Sequence, residues 1–341
     1  MRLNILSVAY PLTPVGEDAV GGSEQILTQL DRSLTEQGHR SWVLAVDGSR
    51  VSGRLIPTPR WPGPLLNDAA REWGGARHRE ALEQCCRQLP VDLVHMHSLN
   101  FWRYLPSAPV PVVATLHLPP EWYPREIWGP VRPLTWLACV SASQRASCLR
   151  FGGSPLLVPN GIDVERFRNS CTRRTYVRAL GRVCPEKGFH LALEAAALAR
   201  QPMFLAGEVK PFEDHRRYFR EEIEPRLDSC RRFIGPVGFR KKRRLPAGAK
   251  CLLIPSLVAE TSSLVAMEAL ASGTPVVAFP NGTLPEIIHH GRTGFLVHGV
   301  EEMEAPIAAC TAINPEECRA SRGGRLPSPP ADPGPVQPRM C

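Results

Sequence analysis

Two glutamates, Glu260 and Glu268, stand where an apolar segment runs into a predicted helix. The run at 251–255 is typical of a buried strand, and 264–271 has the composition of a helix that Gly273 ends. One carboxylate is in the connecting loop and the other is two turns into the helix, so both can line one mouth and accept hydrogen bonds from a ligand. The alternative is a strand-loop-helix unit without a binding role, in which the Glu268 side chain faces solvent.

The start of the same helix is a predicted anion site. Thr261, Ser262 and Ser263 are N-cap candidates, so backbone N–H groups up to Leu264 point back toward the strand end. Free N–H groups and the positive end of the helix dipole suit a diphosphate.

A second cationic feature is the segment 181–188, Gly-Arg-Val-Cys-Pro-Glu-Lys-Gly, which follows a predicted strand. Fixed cations at Arg182 and Lys187 would stabilise the charge that grows on a departing diphosphate. By themselves the two side chains are equally consistent with surface ion pairs.

Two further polar sites follow strands in the first half. Gly21-Gly22-Ser23-Glu24 opens a predicted helix, and its glycines allow a ligand to approach the backbone, although a turn and cap explain them too. His117 ends an apolar run at the carboxyl edge, where sites in parallel sheets form. His95 and His97 share one strand face, but with no third ligand in view we expect no metal there.

Short apolar runs alternate with helical patterns through the chain, which is typical of parallel strands joined by crossover helices. In the first half, Gly38 ends a predicted helix and the segment 52–73 reads as irregular loop. The predicted strands are 3–9, 42–46, 91–97, 110–117 and 137–141, then 176–180, 203–206, 251–255, 275–279 and 295–297; predicted helices include 191–199 and 264–271.

We therefore predict an α/β protein with two Rossmann-like lobes that face each other across a cleft. The predicted domains are an N-terminal, acceptor-side lobe over 1–154, a C-terminal, donor-side lobe over 155–319 and a Pro-rich disordered tail over 320–341. An altered terminus would also explain the abrupt change of composition in the tail.

The motifs together resemble those of glycosyltransferase family 4, whose members carry two glutamates separated by seven residues in this setting, as Glu260 and Glu268 are. The resemblance runs from Gly21 to about residue 300. It implies the GT-B fold and a retaining, metal-independent transfer of sugar from a nucleotide-diphosphate sugar, with no cofactor. The acceptor, whether a small molecule, a glycan or a lipid-linked compound, is left open.

The resemblance also assigns roles. It places Glu260 on the donor sugar near the reacting centre, Glu268 on the ribose, and Arg182 and Lys187 on the phosphates. His117 would contact an outer sugar hydroxyl. The donor-binding set is completed by the helix start and the glycine loop, namely Ser262, Ser263, Leu264 and Gly22.

Composition constrains partners and location. A net charge of +8 over 341 residues is modest, so we expect no nucleic-acid partner. The basic cluster 240–244 is expected to be a solvated loop or helix end, with at most weak peripheral attraction to anionic lipids. The 11 cysteines have no zinc-like spacing and no apolar stretch is long enough to cross a bilayer, so we predict reduced thiols and a cytoplasmic location.

The main alternative is a related scaffold that binds a nucleotide or sugar but is catalytically impaired. Family members usually end with a helix that packs back on the first lobe, and here a Pro-rich segment stands in its place. An oxidoreductase or ATPase is disfavoured because neither a Gly-x-Gly-x-x-Gly turn nor a Gly-x-x-x-x-Gly-Lys-Ser/Thr loop is present.

Overall fold

The computed structural model of the chain describes residues 1–129, 132–168, 175–244 and 248–321. The predicted tail lies outside the described residues from residue 322 onward, and its first residue, Ala320, ends a helix.

The first lobe contains a parallel sheet with the strand order β3-β2-β1-β4-β5-β6-β7. Its strands are β1 Asn4–Val8, β2 Arg40–Val46, β3 Arg54–Thr58, β4 Leu93–Met96, β5 Val112–Thr115, β6 Thr135–Cys139 and β7 Leu156–Leu157. Its α-helices are α1 Gly22–Glu36, α2 Asp68–Gln88 and α3 Ala142–Leu149. The central strands are mostly apolar on both faces, because helices cover both sides of a crossover sheet.

The second lobe repeats this design with the strand order β10-β9-β8-β11-β12-β13, again all parallel. Its strands are β8 Tyr176–Leu180, β9 Met203–Ala206, β10 Arg231–Phe233, β11 Ala249–Ile254, β12 Val276–Ala278 and β13 Gly294–Leu296. The remaining α-helices are α4 Val164–Phe167, α5 Phe189–Leu198, α6 Glu213–Tyr218, α7 Phe239–Arg244, α8 Leu264–Ala271, α9 Leu284–Ile287, α10 Glu304–Ala309 and α11 Pro315–Ala320.

The predicted α/β fold with two Rossmann-like lobes is confirmed. Strand β7 still pairs with β6 of the first sheet, and the second sheet starts at Tyr176. The exact domain division at residue 154 stays a prediction. In the part of the chain that the structure describes, every helix is too short or too polar to span a bilayer.

The prediction of irregular loop over 52–73 is wrong. Strand β3 adds to the edge of the first sheet beside β2, where Pro57 is tolerated. Helix α2 starts within the segment, and its Asn67 cap accepts a hydrogen bond from the Ala70 N–H at 3.0 Å. The many Pro and Arg residues obscured an edge strand that is specified by its pairing partner.

Candidate active site

Glu260 lies in the loop after β11 and is buried between two donors. Its Oε1 accepts hydrogen bonds from Lys187 Nζ at 2.6 Å and from Ser256 Oγ at 2.7 Å. Burial alone would raise the pKa of Glu260, but Lys187, Ser256 and nearby Arg182 lower it below the usual value. The site therefore contains a carboxylate that stays charged although it is buried.

The loop that carries Lys187 reaches Glu260 because a glycine follows it. Gly188 has a left-handed φ of +61°, and a Cβ there would lie 2.2 Å from the Pro255 carbonyl oxygen. Only glycine permits this approach of the two loops. The Leu257 N–H then donates to the Glu186 carbonyl at 2.8 Å, which ties the loop after β8 to the loop after β11.

Helix α8 begins directly after Glu260. Ser263, which precedes its first turn, has a left-handed φ of +47°, an uncommon conformation for a residue with a side chain. Its buried Oγ has no hydrogen-bond partner among the described residues. Ser262 is held differently, because its Oγ accepts a hydrogen bond from Asn160 Nδ2 at 3.0 Å. A strained residue with an unsatisfied hydroxyl at a helix start is a good place for a ligand.

The first lobe meets this helix start at two points. Thr261 Oγ1 donates to the His117 carbonyl at 3.1 Å, and a Cβ on Gly22 would lie 3.8 Å from Leu264 Cδ1. His117 is fixed further by Tyr123, whose hydroxyl accepts its backbone N–H at 3.0 Å. The structure thus brings the predicted first-lobe residues to the predicted donor-binding loop of the second lobe.

His117 belongs to a stack of three imidazoles. Its Nε2 lies 3.2 Å from His97 Nδ1, and the His95 and His97 ring centroids are 4.1 Å apart. Burial lowers the pKa of His95 to about 4 and that of His117 to about 3, and it lowers the pKa of His97 well below the usual value. All three rings are therefore neutral at pH 7, and His117 is a weak base.

Glu268 is only 2% exposed, which is inconsistent with a solvated helix residue. It forms an ion pair with Lys242 of α7, whose Nζ also donates to Gln25 Oε1 of the first lobe at 2.6 Å. Burial raises the pKa of Glu268, and Lys242 partly offsets that rise. A small groove opens beside this group between α1 and the second lobe, with Thr28 and Phe239 in its wall.

Sequence reasoning missed Lys242. The cluster 240–244 was predicted to be solvated, but Lys242 is only 8% exposed. Consecutive basic residues give no local sign of which one turns inward. The signal is tertiary, because α7 packs Lys242 against a carboxylate 26 residues further along the chain.

Two further acidic residues connect the lobes. Asp163 pairs with Arg32 of α1 at 3.4 Å. Glu286 accepts hydrogen bonds from the backbone N–H groups of Ala142 and Ser143, at 3.1 and 2.7 Å, at the start of α3. Both residues therefore act as braces between the lobes.

Comparison with solved structures identifies the fold. AviGT4, a glycosyltransferase involved in avilamycin A biosynthesis, is 26% identical and superposes with a TM-score of 0.67 over 94% of this chain and 92% of its own. Anabaena Alr3699/HepE in complex with UDP-glucose reaches a TM-score of 0.74 at 19% identity over 94% of both chains. The chain has the GT-B fold.

Sequence comparison gives the family. The models described as "Glycosyltransferase Family 4" and "Glycosyl transferases group 1" match residues 20–166 and 174–312. The phosphatidyl-myo-inositol mannosyltransferase of Mycolicibacterium smegmatis is 27% identical over 88% of this chain and 83% of its own. The D-inositol 3-phosphate glycosyltransferase of Corynebacterium efficiens is 32% identical over 43% of this chain and 36% of its own. This chain belongs to glycosyltransferase family 4 and is an enzyme that transfers sugar.

Proposed function

We propose that the enzyme transfers a sugar from a nucleotide-diphosphate donor with retention of configuration and without a metal ion. The observation that supports this most is the buried Glu260 carboxylate, held by Lys187 and Ser256 at the start of α8. One side of this group offers positive charge for phosphates, and the other offers an acceptor for sugar hydroxyls. The predicted cytoplasmic location and weak membrane association stay predictions.

The donor would lie with its diphosphate between Arg182, Lys187 and the backbone N–H groups from Ser262 to Leu264. These groups are in place before the reaction, so they stabilise the leaving group's charge at no cost of reorganisation. Because side chains and amides supply this charge, the mechanism needs no metal ion. The unsatisfied Ser263 hydroxyl is a further donor in the same place.

The sugar would lie between Glu260 and His117, and the ribose against Glu268. Since Lys242 already pairs with Glu268, a bound ribose either shares this carboxylate or displaces the ammonium group. Glu268 Oε2 has no hydrogen-bond partner among the described residues, so it can accept a hydrogen bond from the ribose while Lys242 stays paired. Lys242 therefore joins the proposed donor site.

The surroundings of the reacting centre support retention of configuration. His117 is too weak a base at pH 7 to take the acceptor's proton, and Glu260 is engaged by two donors. The departing phosphate oxygen remains as the group that takes the proton, on the face where the acceptor attacks. In this course the bond to the diphosphate breaks as the new glycosidic bond forms on the same face.

The acceptor would enter from the first lobe, beside Gly22. The names of the two sequence relatives share an inositol-bearing acceptor, so this class belongs first in any acceptor panel. Such an acceptor can be free or lipid-linked, and assays with both forms separate the two.

The test is thermal unfolding of the full chain with UDP, GDP and ADP and their sugar conjugates, followed by transfer assays with the donors that stabilise. A ligand at 100 times its Kd adds about 2.7 kcal/mol. We expect one nucleotide series to raise the Tm of the native chain and to have a much smaller effect on Lys187→Met. Stabilisation by none of them would overturn the proposal, and binding without transfer would favour the impaired-scaffold alternative.

A further inference from the structure

Three side chains with metal-binding atoms meet in and beside the Arg182–Lys187 loop. Cys184 and Glu186 belong to this loop, and His215 lies on α6. The cysteine sulfur, a glutamate oxygen and an imidazole nitrogen all lie within 4.8 Å of one another. His215 is at least 29 positions from Cys184 and Glu186 in sequence, so only the fold brings it to them.

This group has hydrogen-bonding capacity that the described residues leave unused. His215 is 5% exposed, and its Nδ1 has no hydrogen-bond partner among the residues that the structure describes. The buried Glu186 Oε2 also has none among them. An unsatisfied buried polar atom destabilises the fold unless a ligand supplies a partner. The Cys184 thiol donates to the Arg182 carbonyl oxygen at 3.5 Å, and its sulfur also lies within hydrogen-bonding reach of the Glu186 and Arg182 side chains. A ligand that accepts electron pairs from all three side chains would satisfy them together.

The chemistry of these donors selects the ligand. Sulfur, imidazole nitrogen and carboxylate oxygen are the three donor types of protein zinc sites, whereas Mg²⁺ and Ca²⁺ favour oxygen alone. Ligand atoms about 2.0–2.3 Å from a tetrahedral ion lie about 3.3–3.8 Å apart. The observed separations of up to 4.8 Å need to contract by up to about 1.5 Å to reach that geometry.

Neighbouring charges are compatible with a cation. The Arg182 guanidinium lies close enough to Cys184 and Glu186 for both to raise its pKa, and it would repel an ion. The Asp214 carboxylate is 4.0 Å from His215 Nε2, too far for a hydrogen bond, but its negative charge favours a cation in this group. With a thiolate and the Glu186 carboxylate, the negative charges balance those of a divalent ion.

We propose that Cys184, Glu186 and His215 bind one thiophilic divalent cation, best matched by Zn²⁺. The thiol binds as thiolate and its proton passes to solvent. Three protein ligands leave the fourth position for water or another small ligand. This site is separate from the sugar-transfer step, which keeps its proposed metal-independent course.

The experiment uses the full chain, purified with chelator and then titrated with Zn²⁺ and, in parallel, with Co²⁺ as a coloured substitute. We expect one Zn²⁺ per chain by equilibrium dialysis and a thiolate-to-cobalt charge-transfer band in the near ultraviolet. Cys184→Ser should remove the band, and His215→Gln should weaken binding at least tenfold. Cys230→Ser is the control, because Cys230 is exposed and lies outside the group.

Two outcomes would overturn the inference: no stoichiometric binding by the native chain, or a cobalt band that survives Cys184→Ser but disappears in Cys230→Ser. X-ray absorption of the Zn²⁺-loaded native chain decides the matter if a variant does not fold. It should report one sulfur together with nitrogen or oxygen ligands, and a shell without sulfur would contradict the site. Nucleotide binding is measured in a separate experiment, so a failure to bind Zn²⁺ would not contradict the proposed sugar transfer.

Discussion

At the residue scale, the candidate site depends on a buried carboxylate that remains charged. Glu260 has a lowered pKa because Lys187 and Ser256 donate to it, despite the opposing effect of burial. A charged acceptor can orient sugar hydroxyls more strongly than a neutral one. The same contact holds Lys187 in the position where it would meet a phosphate.

We expect Glu260→Ala and Lys187→Ala to lower the rate of sugar transfer by about 10²-fold or more, since each removes a preorganised electrostatic contact to the reacting groups. Single-turnover assays at saturating donor measure the effect. Lys250→Ala is the matched control. It removes a lysine that pairs with Gln201 at the amino end of β11, and it should retain near-normal transfer. Near-normal turnover of either site variant would refute the assignment.

The stacked imidazoles make stability depend on pH. His95 and His117 have pKa values of about 4 and about 3 in the fold, below the usual 6.5, so the unfolded chain binds more protons below pH 6.5. The contribution of these histidines to the free energy of unfolding is complete above pH 6.5. It is lost as the pH falls toward the pKa values of the folded state, by about 1.4 kcal/mol per pH unit for each histidine.

Urea unfolding at pH 7, 6 and 5 checks this. As the pH falls, the free energy of unfolding should decrease less in His95→Gln than in the native chain, because a glutamine does not titrate. The difference should be about the contribution of one histidine. His298→Gln replaces an exposed histidine and should follow the native pH profile. Identical profiles for all three proteins would contradict the prediction.

At the scale of elements, a loop-to-loop contact positions Glu260. Gly282 bridges Glu260 with a left-handed φ of +65°, and a Cβ there would lie 2.2 Å from the Glu260 carbonyl oxygen. Thr283 N–H donates to that same oxygen at 2.8 Å. The loop before α9 therefore fixes the backbone of Glu260, and with it the position of the carboxylate in the site.

Gly282→Ala and Gly291→Ala form a pair of variants that isolates this contact. Both place alanine at a positive φ, at a cost of about 1–2 kcal/mol, but a Cβ on Gly291 meets nothing within 4 Å. We expect Gly282→Ala to cost about 1–3 kcal/mol more in chemical denaturation, from overpacking, and to lower transfer as well. Equal losses of stability and full activity in both variants would exclude the positional role.

At the scale of the whole molecule, the two lobes are held at their cleft by contacts outside the donor site. The Glu286 carboxylate at the start of α3 is the clearest of these, since it satisfies two N–H groups at the positive end of a helix in the other lobe. Helix α7 adds a contact within the proposed donor site itself, because Lys242 donates to Gln25 of the first lobe.

Glu286→Ala should therefore speed hydrogen exchange of the Ala142 and Ser143 amides, because their acceptor is lost, and should leave the second lobe's own exchange unchanged. Mass spectrometry of short exchange times gives the readout. Glu302→Ala is the control, since Glu302 accepts only from the nearby His298 N–H at 2.9 Å among the described contacts. Unchanged exchange at both amides in Glu286→Ala would show that the brace is dispensable.

The sequence by itself determined the repeating strands and helices and the location of the principal motifs. Helix α8 has the bounds that its composition predicted, 264–271, and the strands at 176–180 and 203–206 do as well. These features are local, since an apolar run or a helix-ending glycine acts on its own neighbours. Their placement at the carboxyl ends of parallel strands then follows from the crossover design, which is why Arg182 and Glu260 could be expected together.

Only the tertiary structure decided which polar groups meet across the fold. The burial of Lys242 against Glu268, the edge position of β3 and the meeting of His215 with Cys184 all join segments with no shared local pattern. Their energies come from desolvation and from partners distant in sequence, which a short window of residues does not contain.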